Sequence, residues 1–268
     1  MSAHDIQRFA AFAETLADAA GAAILPHFRA DHAVINKGGA RFDPVTEADK
    51  AAERAMRDLI AAHFPDHGVL GEEYGETKGA SPYQWILDPI DGTRAFIAGL
   101  PTWGVLLALA HEGRPILGIM DQPYLEERYR GHATTDARAA SVTARGQTRP
   151  LKTRACARLG DAILCTTDPY LFHGDEADAF ARARNAAKLT RYGYDCYAYA
   201  MIAGGGGDCV IESGLKAFDI AALIPILTAA GGGVCAWDSG DAAQGGRVLA
   251  YGDARVRDEA IAALARRG

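Results

Sequence analysis

Apolar residues recur at Ile6, Phe9, Ala13, Leu16 and Ala20 within an Ala-rich segment, Asp5 to Ala30. Steps of three and four predict a helix with one buried stripe. Ala33 to Asn36 reads as a strand running into a loop at Gly38 and Gly39. A second helix follows, with Thr46 as its N-cap, Asp49 three residues on, and Ala51, Ala55, Leu59 and Ala62 behind them. Pro65 ends it. From Gly68 the period shortens. Val69-Leu70 and Trp85-Ile86-Leu87 are short apolar runs, each followed at once by acidic residues. Val105 to Ala110 and Ile116 to Met120 read as strands joined by the turn Glu112 to Pro115, and Tyr124 to Tyr129 extends the sheet.

Ala133 to Lys152 is polar and turn-rich, with marginal strands, and the domain boundary is placed at its end: an N-terminal α+β unit over 1–150 and a C-terminal α/β unit over 151–268. In the second unit, strands at Ala162 to Cys165, Cys209 to Ile211, Val234 to Trp237 and Val248 to Tyr251 alternate with helices. The helices are Glu176 to Ala187, Tyr197 to Ile202, Asp219 to Ala230 and Asp258 to Arg266. The runs Gly204 to Gly207 and Gly231 to Gly233 read as helix ends, since neither has the spacing of a nucleotide loop.

Composition then narrows the partners. With 268 residues, 49% of them hydrophobic and 23% charged, the chain is of ordinary globular make-up. No run of about 18 residues is free of charged or polar breaks, so no membrane span is expected, and the first residues do not read as a secretory signal. A cytoplasmic location is the expectation. The net charge of −6 and the scattered basic residues, with only a short basic tip at Arg266 and Arg267, argue against nucleic acid. Five widely spaced cysteines read as buried thiols.

Three acidic segments carry the chemistry. They are Gly71-Glu72-Glu73, Asp88-Pro89-Ile90-Asp91-Gly92-Thr93, and Asp219 at a helix start. Carboxylates just past strand ends belong to sites more often than to cores. Brought into one cleft they repel one another unless cations bind, and hard oxygen ligands select Mg²⁺. Pro89 fixes a turn that lets Asp88, Asp91 and the Ile90 carbonyl face one point. Two metals about 4 Å apart can be bridged in this way. The backbone N–H groups at Gly92 and Thr93, at the start of a short helix, suit a phosphate.

Trp85 to Thr93 resembles the signature of the inositol monophosphatase family of Mg²⁺-dependent, lithium-sensitive phosphatases. Asp43 to Asp49, Gly71 to Glu73 and Phe218 to Ala222 resemble that family's other motifs, in the same order along the chain. The resemblance implies an αβαβα layered sandwich, a homodimer, a small phosphorylated substrate and two or three Mg²⁺ ions. It implies Glu72, Asp88, Asp91, Asp219 and the Ile90 carbonyl as metal ligands, with Glu73 beside the metals. It pairs Asp49 with Thr93 to orient and deprotonate the attacking water, and gives Gly92 and Thr93 the phosphate. Asp219 also borders the substrate.

Asp88 to Leu109 is most similar to the histidinol-phosphate phosphatases of this superfamily, through Arg94, the run Gly99 to Gly104, and Asp219 to Pro225. Histidinol phosphate carries an ammonium and an imidazole, which want carboxylates. Asp195 and Glu212 fall where the family's substrate contacts lie and are expected to supply them. Inositol-1-phosphate and broad small-molecule hydrolysis are the alternatives. A catalytically weak regulatory or binding protein of the same fold is the reading from another class.

Overall fold

The computed structural model describes residues 3–30, 34–36 and 44–265. Gly38, Gly39, Asp43, Arg266 and Arg267 lie outside them. Helix α1 spans Ala3–Ile24 and gives way to a 3-10 turn at Leu25–His27. It stops short of Ala30 because Pro26 has no N–H to continue the ladder and its ring crowds the preceding turn. A hairpin follows, of β1 (Val34–Asn36) and β2 (Pro44–Thr46). It feeds α2 (Glu47–His63), whose capping box joins Thr46 and Asp49 as the sequence predicts.

Next come β3 (Gly68–Gly71), β4 (Gly75–Thr77), β5 (Tyr83–Asp91), α3 (Thr93–Ile97), β6 (Gly104–His111) and β7 (Arg114–Gln122). β8 (Glu127–Ala133), β9 (Arg138–Ala144) and β10 (Gln147–Pro150) follow. These eight strands form one sheet in the order β10-β9-β8-β7-β6-β5-β3-β4, with β3 parallel to β5 and the other neighbours antiparallel. β8 begins only at Glu127. Tyr124 and Leu125 are in a turn, because the Gln122 amide oxygen accepts both their N–H groups, at 2.8 and 3.1 Å.

The second sheet contains β11 (Ile163–Thr166), β12 (Leu189–Tyr192), β13 (Cys209–Leu215), β14 (Gly233–Ala236) and β15 (Gly246–Tyr251), in the order β12-β11-β13-β15-β14. Its helices are α4 (Asp175–Ala186), α5 (Asp195–Ala203), α6 (Ala217–Ile220), α7 (Leu223–Ala230) and α8 (Ala254–Ala265). The helix expected over Asp219 to Ala230 is therefore two pieces. Pro225 cannot donate to the Ala221 carbonyl, and the chain turns at Ala221-Ala222. α7 ends at Gly231 with φ 103°, the left-handed stop that glycine adopts without strain.

The layers run α1/α2, eight-stranded sheet, α5–α7, five-stranded sheet, α4/α8, which is the αβαβα sandwich. The span Asp5–His27, α1 with its 3-10 turn, is long and apolar enough to cross a membrane by length and mean hydropathy, although charged residues interrupt it as the sequence predicts. Here it is a core helix. Ile6, Phe9, Ala13, Leu16, Ala20 and Ile24 are buried with Ala52, Met56 and Ile60 of α2 and with Trp85, Leu107 and Leu109 of the sheet. A second apolar layer mixes Leu106 and Met120 with Ile226, Leu227 and Val210, so both sheets share it through α7. All five cysteines are buried free thiols.

Candidate active site

β3 and β5 are parallel neighbours, so Glu72 and Asp88 emerge side by side past matched positions, Gly71 opposite Leu87. The Glu72 N–H donates to the Leu87 carbonyl at 3.2 Å, which fixes that register. Between Asp88 and Asp91 the β5–β6 pairing shifts, so the strand bends through Pro89 and re-aims Asp91. α6 brings Asp219 from the far half of the chain. Carboxylate oxygens of Asp88, Asp91 and Asp219 all lie within 4.8 Å of one another.

Their hydrogen bonds are divided economically. Asp91 Oδ2 accepts the Cys196 N–H at 2.6 Å, and Asp219 Oδ2 accepts the Lys216 N–H at 2.6 Å. Asp88 Oδ1 is buried with no donor, although Asp88 is only 2% exposed. An orphaned carboxylate oxygen among converging acids is costly in an apolar interior unless a cation sits there. The clustered donors among the described residues are carboxylate oxygens, a hard set that fits a divalent metal of the Mg²⁺ type.

The electrostatics agree. Burial, then Glu72, Asp91 and Asp219, pushes the Asp88 carboxyl well up. Burial, then Asp195 and Asp219, does the same to Asp91. Asp219 is pushed up to about 7, chiefly by burial and then by Glu72, against the lowering effect of the Lys216 N–H. Asp49, buried on α2, is pushed up to about 6 by burial, opposed by its Thr46 bonds, with Glu72 adding to the rise.

The other predicted positions fall around this cluster with contacts of their own. Asp49 Oδ2 accepts the Thr46 N–H at 2.8 Å and the Thr46 hydroxyl at 2.6 Å. Thr93 Oγ1 donates to the Ile90 carbonyl at 3.1 Å. Gly92 has φ 86°, and a Cβ there would stand 3.0 Å from the Asp195 carboxyl carbon, so glycine is required by both backbone and space. Asp195 itself is left-handed, with φ 45°. It is pushed up to about 6 by burial, while Arg94 pulls it down. Arg94 Nη1 lies 3.7 Å from Asp168 Oδ2. Glu212 is 2% exposed, and its Oε1 accepts the Thr167 N–H at 2.6 Å. Its Oε2 is buried without a hydrogen-bond partner among the described residues. The Glu73 side chain is half-buried, outside the three-carboxylate group.

Sequence reasoning missed Glu53. Fully buried on α2, it accepts the Glu73 N–H at 2.7 Å and the Tyr74 N–H at 3.2 Å, and pairs with Arg57 at 2.7 Å. It therefore holds the turn that follows Glu72. The only trace in the sequence is a charge on the buried stripe that also carries Asp49, Met56 and Ile60.

A layered sandwich with a buried carboxylate cluster where β5 meets α6 suits a metal-dependent hydrolase. The chain belongs to the inositol monophosphatase family, whose profile matches residues 5–267. It is 40% identical to the chloroplastic bifunctional phosphatase IMPL2 of Arabidopsis thaliana, over 98% of this chain and 77% of that one. It is 37% identical to a histidinol-phosphatase of Chlorobaculum parvum, over 73% and 72% of the two chains. The structure of an inositol monophosphatase from Zymomonas mobilis superposes with a TM-score of 0.86 at 38% identity, covering 98% and 99%.

Replacing Glu53 with Gln is expected to weaken divalent-metal affinity about 10- to 100-fold while the fold persists, as for other groups that orient a ligand. The metal dependence of phosphate release measures this. An unchanged half-saturation point would remove Glu53 from the site's support.

Proposed function

We propose that the enzyme hydrolyses L-histidinol phosphate to L-histidinol and phosphate, with Mg²⁺ held by Glu72, Asp88, Asp91, Asp219 and the Ile90 carbonyl. The observation that carries the substrate choice is Asp195, an acid in a left-handed backbone conformation whose carboxyl lies against Gly92. Such a conformation costs about 1–3 kcal/mol and persists where the surroundings require it. It places a negative charge beside the phosphate cradle, where a neutral polyol gains little and an ammonium gains a charge-assisted hydrogen bond. The histidinol-phosphatase of Chlorobaculum parvum supports the same reading. So does Glu212, whose buried Oε2 an imidazolium or ammonium would satisfy.

A metal bound by these residues would supply positive charge to the phosphate and would make the attacking water more acidic. The chain's own groups do the rest. The N–H groups of Gly92 and Thr93 take phosphate oxygens. Asp49, pushed up to about 6, is matched to accept a proton near neutral pH. The Thr93 hydroxyl, held on the Ile90 carbonyl in the structure, passes to the water when substrate binds. Glu73, beside these ligands, would hold a water near a further ion. A homodimer is part of the proposal and is read from the molar mass in solution.

The test compares phosphate release from L-histidinol phosphate and inositol-1-phosphate in the parent and in Asp195→Asn. The parent is expected to prefer histidinol phosphate, and the variant to lose about tenfold or more of that preference, the scale of one charge-assisted bond. Equal rates on both esters in the parent would return the enzyme to a broad phosphatase.

Glu212 provides a pH test. Burial pushes its carboxyl up to about 8, opposed by the Thr167 bonds. A carboxyl with a folded pKa above its unfolded value stabilises fully below the unfolded pKa, about 4.5. That stability is lost as pH rises through about 8. Without ligand, Glu212→Gln should therefore melt a few degrees above the parent at pH 9, with the gap closing toward pH 5. A pH-independent difference would contradict the burial of an ionisable proton here.

A further inference from the structure

Just past the 3-10 turn that ends α1, the chain makes a corner at Phe28-Arg29. Arg29 has φ 59°, a left-handed backbone that a non-glycine residue keeps only where its surroundings hold it. Its guanidinium lies over the Phe28 ring at 5.2 Å and the Tyr124 ring at 4.8 Å. Nη1 donates to the Tyr124 hydroxyl at 2.6 Å, and Nε donates to the Gly99 carbonyl at 3.0 Å. Tyr124 is itself fixed. Its N–H donates to the Gln122 amide oxygen, and the Gln122 amide nitrogen donates to the Trp103 carbonyl at 3.0 Å. The cation is thus planted on the β7–β8 turn and holds the chain just past α3.

That hold runs along the main chain to the phosphate cradle. The Gly99 N–H donates to the Phe96 carbonyl at 3.0 Å, and the Phe96 N–H donates to the Gly92 carbonyl at 3.0 Å. The fully buried Phe96 ring packs against Phe28 at 5.3 Å and Trp103 at 5.1 Å. The corner therefore grips α3 twice, by a ring and by a carbonyl. α3 is only five residues long, with Gly92 as its N-cap, so a tilt at Gly99 carries to Gly92 and Thr93.

We infer that Arg29 is a positioning residue for phosphate binding: by pinning Gly99 to Tyr124 it sets the angle of α3 and hence the aim of the Gly92 and Thr93 N–H groups. The inference rests on the reading that these two N–H groups take the phosphate. Arg29 acts through geometry, and Tyr124 acts only through Arg29. Asp91 and Asp219 are held by other bonds, to the Cys196 and Lys216 N–H groups, so metal binding does not depend on the pin.

The enzyme with saturating Mg²⁺ is compared with Arg29→Gln, Arg29→Lys, Tyr124→Phe and the Arg29→Gln/Tyr124→Phe double variant. Arg29→Gln should raise both KM for the phosphomonoester and the inhibition constant of inorganic phosphate about fivefold, the scale of one hydrogen bond. Its kcat should stay within about twofold, because the phosphate bonds serve ground state and transition state alike. The Mg²⁺-induced rise in Tm should not change. Tyr124→Phe should give a smaller rise of the same kind, about twofold, and the double variant should match Arg29→Gln alone. Arg29→Lys keeps the charge without the fork that reaches both acceptors, so it should stay close to Arg29→Gln.

Full recovery in Arg29→Lys, with Tyr124→Phe silent, would mean that the charge attracts phosphate at a distance, and would overturn the positioning role. So would a lower Tm in Arg29→Gln with KM and the phosphate constant unchanged, the mark of a contact that serves the fold alone. The Gly92 and Thr93 N–H resonances, followed as inorganic phosphate is added with Mg²⁺, separate the two levels. If they stay still in the parent, the cradle reading itself fails. If they move in the parent and follow the same phosphate dependence in Arg29→Gln, only the positioning role fails.

Discussion

Asp88→Asn should lower kcat/KM by about three orders of magnitude or more, whichever phosphomonoester is supplied. Asp88 is buried at the centre of the cluster, touched by the fields of Glu72, Asp91 and Asp219, and one of its oxygens has no protein donor. The amide keeps the shape but removes the charge that a divalent ion needs, and metal charge is worth several kcal/mol in a transition state of this kind. The same change should not damage the apoprotein. Burial and like charges already push this carboxyl well up, so a neutral isostere relieves repulsion. Two measurements decide it: phosphate release with saturating Mg²⁺, and thermal melting with and without Mg²⁺. The variant should fold, match or exceed the parent's apo stability, and lose most of the metal-induced rise in Tm. Activity within tenfold of the parent would place the metal elsewhere.

The second large effect lies in the fold. Gly118 on β7 and Gly131 on β8 let α7 approach the sheet at backbone distance. A Cβ on Gly118 would overlap the Ala222 carbonyl oxygen, and one on Gly131 would overlap the Ile226 backbone. The atoms that must yield are main chain, so neither site can accommodate a methyl by a rotamer change. Gly118→Ala or Gly131→Ala should cost about 3 kcal/mol or more, at the upper end of overpacking. Gly160→Ala, where the nearest atom is at 3.7 Å, should stay within about 0.5 kcal/mol. Urea unfolding of the three variants tests this. α7 follows α6 across the turn at Ala221-Ala222, so any Gly118→Ala protein that folds should also bind metal more weakly through a displaced Asp219. Unchanged stability in Gly118→Ala and Gly131→Ala would refute the close-packing account.

Much of the molecule was legible because its signals are local. Val105 to Ala110 and Ile116 to Met120 are continuous apolar runs, and they are the two central strands buried on both faces. Thr46 and Asp49 are three apart at a helix start, and they form the capping box. β12 was missed because Leu189–Tyr192 has no apolar alternation. It is an edge strand held by its pairing with β11. β4 escaped for the same reason, as three exposed residues paired only to β3. The helix break at Ala221-Ala222 depended on Pro225, whose effect was outweighed by the apolar stretch around it.

In the site, the sequence by itself determined which residue types are present, that the acids follow strands, and the order of motifs that marks the family. Chain order and local hydrogen bonding are enough for that. Which acids meet was decided only by tertiary structure. Asp219 reaches Asp88 because α7 packs on bare glycine backbone. Glu53 reaches the Glu73 turn because α2 lies against β5 and Gly71 leaves room for its carboxylate. Asp168 faces Arg94 because the chain beyond the end of β11 meets the start of α3. These contacts join residues far apart in the chain, and their formation depends on packing at ångström scale, which no spacing along the sequence encodes.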